Sequence, residues 1–293
     1  MELPLLKHDH VTVRGARIHY VSAGQGEPIL LLHGFPQTWY CWRRVIPILS
    51  KHFRVIVPDL KGCGDSDTPR RAYDVTTLSE EWGEFMNALE IDRFDLAGHD
   101  WGGIIAWRMA LDYPGRIRRL VILNAPFRKW RPKAYVFFFC LPLLPELIFR
   151  RWNDAVMEEM LIKASYDFER TYTAEDLKAY QDAFRRPGVH KASLAYYRSA
   201  WRGLKRLYDD RNKKIEVPTL VIWGVFDPTL PVALTLGLEK EVRDLQIHYV
   251  PLAGHFVQEE QPDAVNAQML SFLTADRKAG THHLEAASAL TSA

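Results

Sequence analysis

Short apolar runs alternate with segments of helical periodicity over the first part of the chain. The apolar runs are residues 28–32, 54–58, 94–97 and 119–123. Such runs are typical of strands that are buried on both faces of a parallel sheet. Between the second and third runs, the large apolar side chains of residues 78–89 recur at the spacing of one helix face. The alternation predicts an α/β protein whose mostly parallel sheet has helices on both faces.

The pattern differs at the amino-terminal end of the chain. Residues 10–22 alternate between polar and apolar positions around Arg14-Gly15, which predicts a β-hairpin. Residues 39–49 have a helical pattern.

Strand patterns disappear over residues 126–214. One helix there begins at Thr173, which is followed by an acidic residue at the third position, and it ends before Pro187-Gly188. Strand patterns return at residues 219–223 and 246–250, followed by a helix over 263–273. We therefore predict a core of residues 1–125 and 215–276 with an inserted helical cap of residues 126–214. The small and polar tail, residues 277–293, is expected to be disordered.

Composition narrows the classes of protein to which the chain can belong. Its 293 residues include 38 basic and 36 acidic side chains, a net charge of +2 that does not indicate a nucleic-acid surface. The three cysteines do not have the spacing of a metal site, and their odd number argues against a closed disulfide set. Together with an amino terminus that does not resemble a secretory signal, they predict a cytoplasmic protein.

The most apolar stretch of the chain is residues 134–149. Pro142, Pro145 and Glu146 interrupt it, and a membrane span needs about 20 predominantly apolar residues. We interpret it as a buried or pocket-lining element, with peripheral membrane contact as the less favoured alternative.

A carboxylate occupies the central position of a nucleophile-elbow motif. Gly98-His99-Asp100-Trp101-Gly102 has the pattern G-x-nucleophile-x-G, between a predicted strand and a predicted helix. A serine that attacked a saturated carbon would form a stable ether, whereas Asp100 would form an ester that water can cleave. The motif therefore predicts hydrolysis at an sp3 carbon of an epoxide or haloalkane. A helix N-cap aspartate is the alternative interpretation of Asp100.

Two further residues follow in the order nucleophile, acid, histidine. Asp227 comes after the strand 219–223, and His255 comes after the strand 246–250. We predict that His255 is a general base oriented by Asp227. Asn124 occupies another strand end, but its amide makes Asp227 the favoured acid.

An oxyanion hole is predicted from the turn after the first apolar run. That turn contains His33-Gly34-Phe35, and the backbone N–H groups of Phe35 and Trp101 are the expected donors.

Four motifs together resemble those of the α/β-hydrolase-fold epoxide hydrolases. They are H-G-F-P-Q-T-W-Y from His33, D-L-K-G-C-G-D-S-D from Asp59, G-H-D-W-G-G from Gly98 and G-H-F-V-Q-E-E-Q-P from Gly254. The wider group with an Asp nucleophile also contains haloalkane and fluoroacetate dehalogenases. The resemblance covers residues from about 10 to 273 and implies the α/β-hydrolase fold with a cap.

The same resemblance implies two cap tyrosines whose hydroxyls donate to the epoxide oxygen. Tyr135 and Tyr197 match the corresponding segments, with Tyr196 as the alternative to Tyr197. A phenol can protonate the alkoxide that forms when the ring opens. The fluoroacetate dehalogenases need arginines beside the nucleophile, where this chain has Trp101 and Ile104.

The function predicted from these residues is hydrolysis of a hydrophobic epoxide to a vicinal diol through a covalent aspartyl ester. The expected partners are therefore a small epoxide and water, and the sequence predicts no cofactor and no metal. The predicted lining of the substrate pocket is Phe35, Pro36, Trp39, Trp101, Phe138 and Phe256. The alternatives are a haloalkane dehalogenase, an ester hydrolase with the same three residues, and a non-catalytic binding protein.

Overall fold

The computed structural model describes residues 6–129, 132–200 and 210–275, so the predicted tail lies outside the described residues. Eight strands form one sheet in the order β1-β2-β4-β3-β5-β6-β7-β8. The strands are β1 Lys7–Val13, β2 Ala16–Ala23, β3 Glu27–Leu32, β4 Phe53–Pro58, β5 Phe94–His99, β6 Ile117–Leu123, β7 Thr219–Gly224 and β8 Leu245–Val250. β2 pairs antiparallel with β1 and β4, and the pairs from β4 to β8 are parallel. The predicted α/β-hydrolase architecture is confirmed.

The helices agree with the predicted pattern in most places. They are α1 Ile46–Leu49, α2 Val75–Ala88, α3 Trp101–Asp112, α4 Ala134–Cys140, α5 Leu144–Arg151, α6 Asn153–Ala164, α7 Phe168–Thr171, α8 Ala174–Arg185, α9 Val189–Ala200, α10 Val257–Glu260 and α11 Pro262–Thr274. Thr173 begins α8 with the expected capping box, because its hydroxyl accepts the Asp176 amide hydrogen and the Asp176 carboxylate accepts the Thr173 amide hydrogen.

The structure also confirms the hairpin and corrects one helix. Arg14 and Gly15 both have positive φ, which is the conformation that a tight turn between β1 and β2 requires. The helical pattern predicted for residues 39–49 is divided in the structure, because a 3-10 helix, Trp39–Trp42, is followed by the separate helix α1. Pro47 lies in the first turn of α1, where its missing N–H does no harm, whereas inside a continuous helix it would remove a hydrogen bond.

Burial follows from the position of each strand. Every residue of β5 and β7 is buried because these strands lie inside the sheet, with other elements on both faces. Between β6 and β7, the described residues form helices α4 to α9 and no strand. These helices are where the cap was predicted, and the exact boundaries 126 and 214 stay a prediction.

A buried ionic network joins the cap to the core. Glu259 of α10 contacts Arg43 and Gln37 of the core, and it accepts hydrogen bonds from the hydroxyls of Tyr172 (3.1 Å) and Tyr180 (2.9 Å) of the cap segment. A buried carboxylate without such partners would be strongly destabilising. The network therefore fixes the cap over the carboxyl ends of the parallel strands.

Two further sequence expectations concern cysteines and membranes. Cys41, Cys63 and Cys140 are all free thiols. Within the part of the chain that the structure describes, none of the helices has both the length and the hydrophobicity that a bilayer crossing requires.

Candidate active site

The turn between β5 and α3 holds Asp100 in a strained conformation. Asp100 has φ 50° and ψ −120°, which a residue with a side chain rarely adopts. A Cβ atom on Gly98 would lie 2.4 Å from the Gly102 carbonyl oxygen, and one on Gly102 would lie 2.3 Å from that of Leu32. Only glycine allows these approaches. The local sequence thus makes the Asp100 side chain project from the turn at the end of the central strand.

The Asp100 carboxylate lies between the β3 turn and His255. Its Oδ1 accepts a hydrogen bond from the Phe35 backbone amide at 2.8 Å, and its Oδ2 lies 3.6 Å from His255 Nε2. Burial by itself raises the pKa of Asp100, but interactions with His255, His99 and the Phe35 amide outweigh it and leave the pKa below its usual range. Asp100 is therefore an anion with one oxygen already bound by an amide. The Trp101 amide follows it directly, at the first residue of α3.

His255 is held from behind by Asp227. His255 Nδ1 lies 2.8 Å from Asp227 Oδ2, and the other Asp227 oxygen accepts the amides of Thr229 (2.7 Å) and Leu230 (2.8 Å). Although burial lowers the pKa of His255, the charges of Asp227 and Asp100 raise it to about 10. Asp227 therefore holds a proton on Nδ1 and orients the ring so that Nε2 faces Asp100. The three residues predicted from chain order therefore lie together in the fold.

Two polar residues contribute to this arrangement in ways that the sequence analysis missed. Asn124, with φ 41°, donates from Nδ2 to Asp227 Oδ2 at 2.7 Å and accepts the Gly224 amide hydrogen at 3.2 Å. His99 is buried, its ring lies 4.9 Å from that of His255, and its Nε2 lies 2.8 Å from the His255 carbonyl oxygen. Burial lowers the pKa of His99 to about 3, so it remains neutral. Polar residues at the ends of buried strands were the only signal in the sequence.

The cap closes a cavity of about 190 Å³ over Asp100 and His255. Tyr135 of α4 and Tyr197 of α9 both line it, and the centroids of their rings are 6.4 Å apart. The hydroxyl of Tyr196 instead donates to the Lys61 carbonyl oxygen at 2.8 Å, with its ring against Tyr73. The structure thus places Tyr197, rather than its neighbour, beside the carboxylate.

Burial raises the pKa of both cavity tyrosines. For Tyr135 the charges of Asp100 and Asp227 raise it further, and for Tyr197 those of Tyr135 and Asp100 do the same. Both phenols therefore hold their protons near neutral pH and can donate hydrogen bonds into the cavity.

Three of the residues predicted to line the substrate pocket border this cavity. Phe35, Pro36 and Phe256 line the cavity, together with Met160, Lys163, Ala164 and Thr229, which were not predicted. Phe139 replaces the predicted Phe138, because Phe139 lies four residues after Tyr135 and so shares its face of α4.

Two predicted aromatic residues do not line this cavity. Trp101 packs behind Tyr197, with ring centroids 5.2 Å apart, and a hydrogen bond from its indole offsets a small part of the rise that burial causes in the pKa of Tyr197. Trp39 makes edge-to-face contacts with His8 and Tyr40 on the core. Each is near the site in sequence, but its side chain is turned into a different aromatic cluster.

A possible metal-binding group lies elsewhere in the core. Among the described residues, His19, Asp59 and Asp65 place ligand atoms close to one another. Asp59 Oδ1 accepts the Trp39 amide hydrogen at 3.0 Å, while its Oδ2 accepts that of Asp65 at 2.9 Å and contacts His19 at 2.8 Å. These hydrogen bonds explain Asp59 as a residue that orders the turn after β4.

Known proteins resemble this chain in sequence and in fold. Residues 27–262 match the family model described as alpha/beta hydrolase fold. Epoxide hydrolase 4 of Homo sapiens is 32% identical over 91% of this chain and 78% of its own length. The structure of Epoxide Hydrolase A from Mycobacterium thermoresistibile aligns with a TM-score of 0.83 at 26% identity, over 92% of this chain and 98% of that one.

A second solved structure, of the ligand-free epoxide hydrolase CorEH, aligns with a TM-score of 0.84 at 28% identity, over 92% of this chain and 98% of that one. These relatives are epoxide hydrolases, and the similarity to them covers more than nine tenths of this chain. This chain belongs to the epoxide hydrolase family of the α/β-hydrolase fold.

Proposed function

We propose that this protein hydrolyses a small hydrophobic epoxide to a vicinal diol through a covalent ester on Asp100. The observation that carries the proposal is the position of Asp100. Its carboxylate shares one cavity with the side chains of Tyr135 and Tyr197, and His255 lies beside it. The aromatic and aliphatic side chains around these polar groups favour an apolar substrate.

In the first step, Asp100 Oδ2 attacks one carbon of the epoxide ring. Oδ2 is the nucleophile in this scheme because Oδ1 already accepts the Phe35 amide hydrogen. A bond forms between Oδ2 and carbon, the ring C–O bond breaks, and its oxygen takes a proton from Tyr135 or Tyr197. Because both phenols keep their protons near neutral pH, each can donate a proton to this oxygen.

In the second step, water cleaves the ester. His255 Nε2 removes a proton from a water molecule, whose oxygen attacks the Asp100 acyl carbon. The resulting oxyanion is stabilised by the Phe35 amide and the adjacent Trp101 amide. The bond between the acyl carbon and the former Oδ2 then breaks, and the diol leaves with that oxygen and a proton from His255. The second proton of the water remains on the regenerated Asp100 carboxyl and returns to the phenolate of the tyrosine that donated in the first step, which restores both groups. Asp227 stabilises the imidazolium that forms between these events.

Haloalkane dehalogenation is the main competing function. It requires donors that hold a departing halide, and the indole of Trp101 is the candidate. That indole hydrogen bonds to Tyr197 and does not line the cavity, and position 35 is a phenylalanine without a side-chain donor. Two tyrosines suit a leaving oxygen that needs a proton. Parallel assays with styrene oxide, a bromoalkane and a p-nitrophenyl ester separate epoxide, halide and ester hydrolysis.

The test of the covalent scheme is the variant His255→Gln. Without the base, the ester should accumulate to one equivalent, and intact-protein mass should increase by the mass of the epoxide. His52→Gln makes the same change at an exposed histidine and should turn over without a persistent adduct. Asp100→Asn should give no adduct.

The oxygen balance provides an independent check. In a single turnover in H₂¹⁸O, the isotope should enter Asp100, and the diol should carry the original carboxylate oxygen. Direct entry of ¹⁸O into the diol, or unmodified His255→Gln protein after incubation with a confirmed substrate, would contradict the proposal.

A further inference from the structure

A short segment of the cap exposes several large apolar side chains to solvent. We call it the apolar cap face. It consists of Phe137, Leu141, Leu143, Leu144, Leu147 and Trp152, on and around helices α4 and α5. Leu143 is 73% exposed, Leu147 61% and Phe137 58%. Soluble proteins rarely expose so many large apolar side chains in one short segment unless another surface covers them.

The apolar cap face is held in place by an arginine of α9. Arg198 donates to the carbonyl oxygens of Phe139 (3.1 Å) and Leu141, and its guanidinium also binds Glu146 of α5 (3.1 Å to Oε2). These bonds join the end of α4 to α5 across the loop between them. The exposed side chains therefore stand on an ordered support.

Leu143 has an unusual backbone conformation as well as high exposure. Its φ is 66°, in the left-handed region that glycine or asparagine occupies at little cost. A leucine there is strained, and most of its side chain stays exposed in the described part of the chain. Strain of this kind is retained where the surroundings or a function require it. An apolar environment outside the protein would bury this side chain and so offset the strain.

Basic side chains outnumber acidic ones within the segment that carries the apolar cap face, residues 132–152. Arg150 and Arg151 are exposed at the end of α5, where Arg151 lies 5.6 Å from the ring of Trp152. The only acidic side chain in residues 132–152 is Glu146, which Arg198 neutralises. A symmetric pairing of two such faces would bring arginines near arginines. An anionic lipid surface complements both the apolar and the basic groups.

The other side of α4 faces the candidate active site. Tyr135 and Phe139 line the cavity, whereas Phe137 points to solvent on the same helix. We propose that the apolar cap face docks on the surface of a membrane that contains anionic lipid, with Leu143 and Leu147 at the level of the headgroups. Supply of an apolar substrate from the lipid to the cavity rests on the proposed function, whereas docking itself does not.

Vesicle flotation without substrate tests docking separately from catalysis. The full-length protein is mixed with vesicles of phosphatidylcholine containing about 30% phosphatidylserine, and with vesicles of phosphatidylcholine alone. We expect binding to the anionic vesicles that weakens with added salt, because lipid charge is screened over about 10 Å at 0.1 M salt. Failure to float with anionic vesicles, or equal binding to both kinds, would overturn the proposal.

Two pairs of variants localise the contact. Arg150→Glu with Arg151→Glu should weaken binding about 30-fold, since each basic side chain near a charged membrane contributes roughly a factor of five. The control, Lys51→Glu with Arg93→Glu, makes the same charge change at exposed core positions and should bind within about threefold of wild type. Equal losses in both pairs would mean that net charge, and not this face, drives binding, which overturns the proposal.

The apolar part is tested with Leu143→Ser and Leu147→Ser together, and with Leu252→Ser as an exposed leucine of the core. The cap pair should lose about tenfold or more in vesicle binding, and Leu252→Ser should lose little. Turnover of a water-soluble epoxide should be unchanged in both, which shows intact folding. If wild type instead forms a dimer that the cap pair dissolves while no variant floats, the face is a protein interface and the lipid proposal is wrong.

Discussion

The adjacent tyrosines 196 and 197 allow a decisive test of the cap's role in catalysis. Tyr197→Phe removes a hydroxyl that lines the cavity beside Asp100, and Tyr196→Phe removes one that donates to the Lys61 carbonyl oxygen. The two changes delete the same atom from neighbouring residues of one helix. The proposed mechanism requires that their effects differ in kind.

The expected magnitudes follow from what each hydroxyl contacts. A hydrogen bond to a developing alkoxide contributes about 1.5–3 kcal/mol, so Tyr197→Phe should slow ester formation by about 10- to 150-fold. Tyr135→Phe should be similar, because its ring lies in the same cavity. Tyr196→Phe leaves a buried carbonyl unsatisfied, which costs about 1–3 kcal/mol of stability and lowers Tm by at least about 2 °C.

The assay measures ester formation directly. The three variants are compared in single-turnover rapid quench with intact-mass detection, and their Tm values are measured by calorimetry. Slow ester formation with a normal Tm is expected for Tyr197→Phe, and the reverse for Tyr196→Phe. If Tyr196→Phe slowed ester formation as much as Tyr197→Phe, the assignment of the cavity tyrosines as proton donors would be refuted.

Three more predictions follow from contacts of the site and the core. Gly34→Ala should abolish ester formation while circular dichroism stays normal, since the new Cβ would lie 2.4 Å from the Asp100 Cβ; full activity would show that the carboxylate is not held there. Ester cleavage should accelerate with rising pH, because His255 must be neutral to act as a base. The pKa of His255 is about 10 in the free enzyme, and it should fall in the ester intermediate because Asp100 then carries no charge. Quenched samples should therefore carry more ester at pH 5.5 than at pH 8, and an opposite trend would exclude His255 as the base. Glu259→Leu should lower the free energy of unfolding by about 3–5 kcal/mol in urea titrations, because Arg43 loses a buried partner. The control, Glu239→Leu at an exposed position, should change it by less than about 0.5 kcal/mol. Equal effects of the two variants would mean that the network does not join the cap to the core.

The sequence by itself determined the parts of this protein that depend on local patterns. The apolar runs, the spacing of the α2 face and the Arg14-Gly15 turn each favour one local conformation, and the α/β sheet follows from their alternation. Gly98 and Gly102 around Asp100 predicted a turn that only small residues permit. Chain order then placed Asp227 and His255 at neighbouring strand ends, where parallel strands bring them together.

Only the tertiary structure decided which side chains face the cavity. Tyr196 and Tyr197 differ by one position on α9, and helix rotation turns the first toward Lys61 and the second toward Asp100. Phe139 lines the cavity in place of Phe138 for the same reason. Neighbouring helical positions point about 100° apart, and how α4 and α9 are rotated depends on packing with distant residues. The contacts of Asn124 and His99 with the Asp227–His255 pair join separate strands, so no local pattern encodes them.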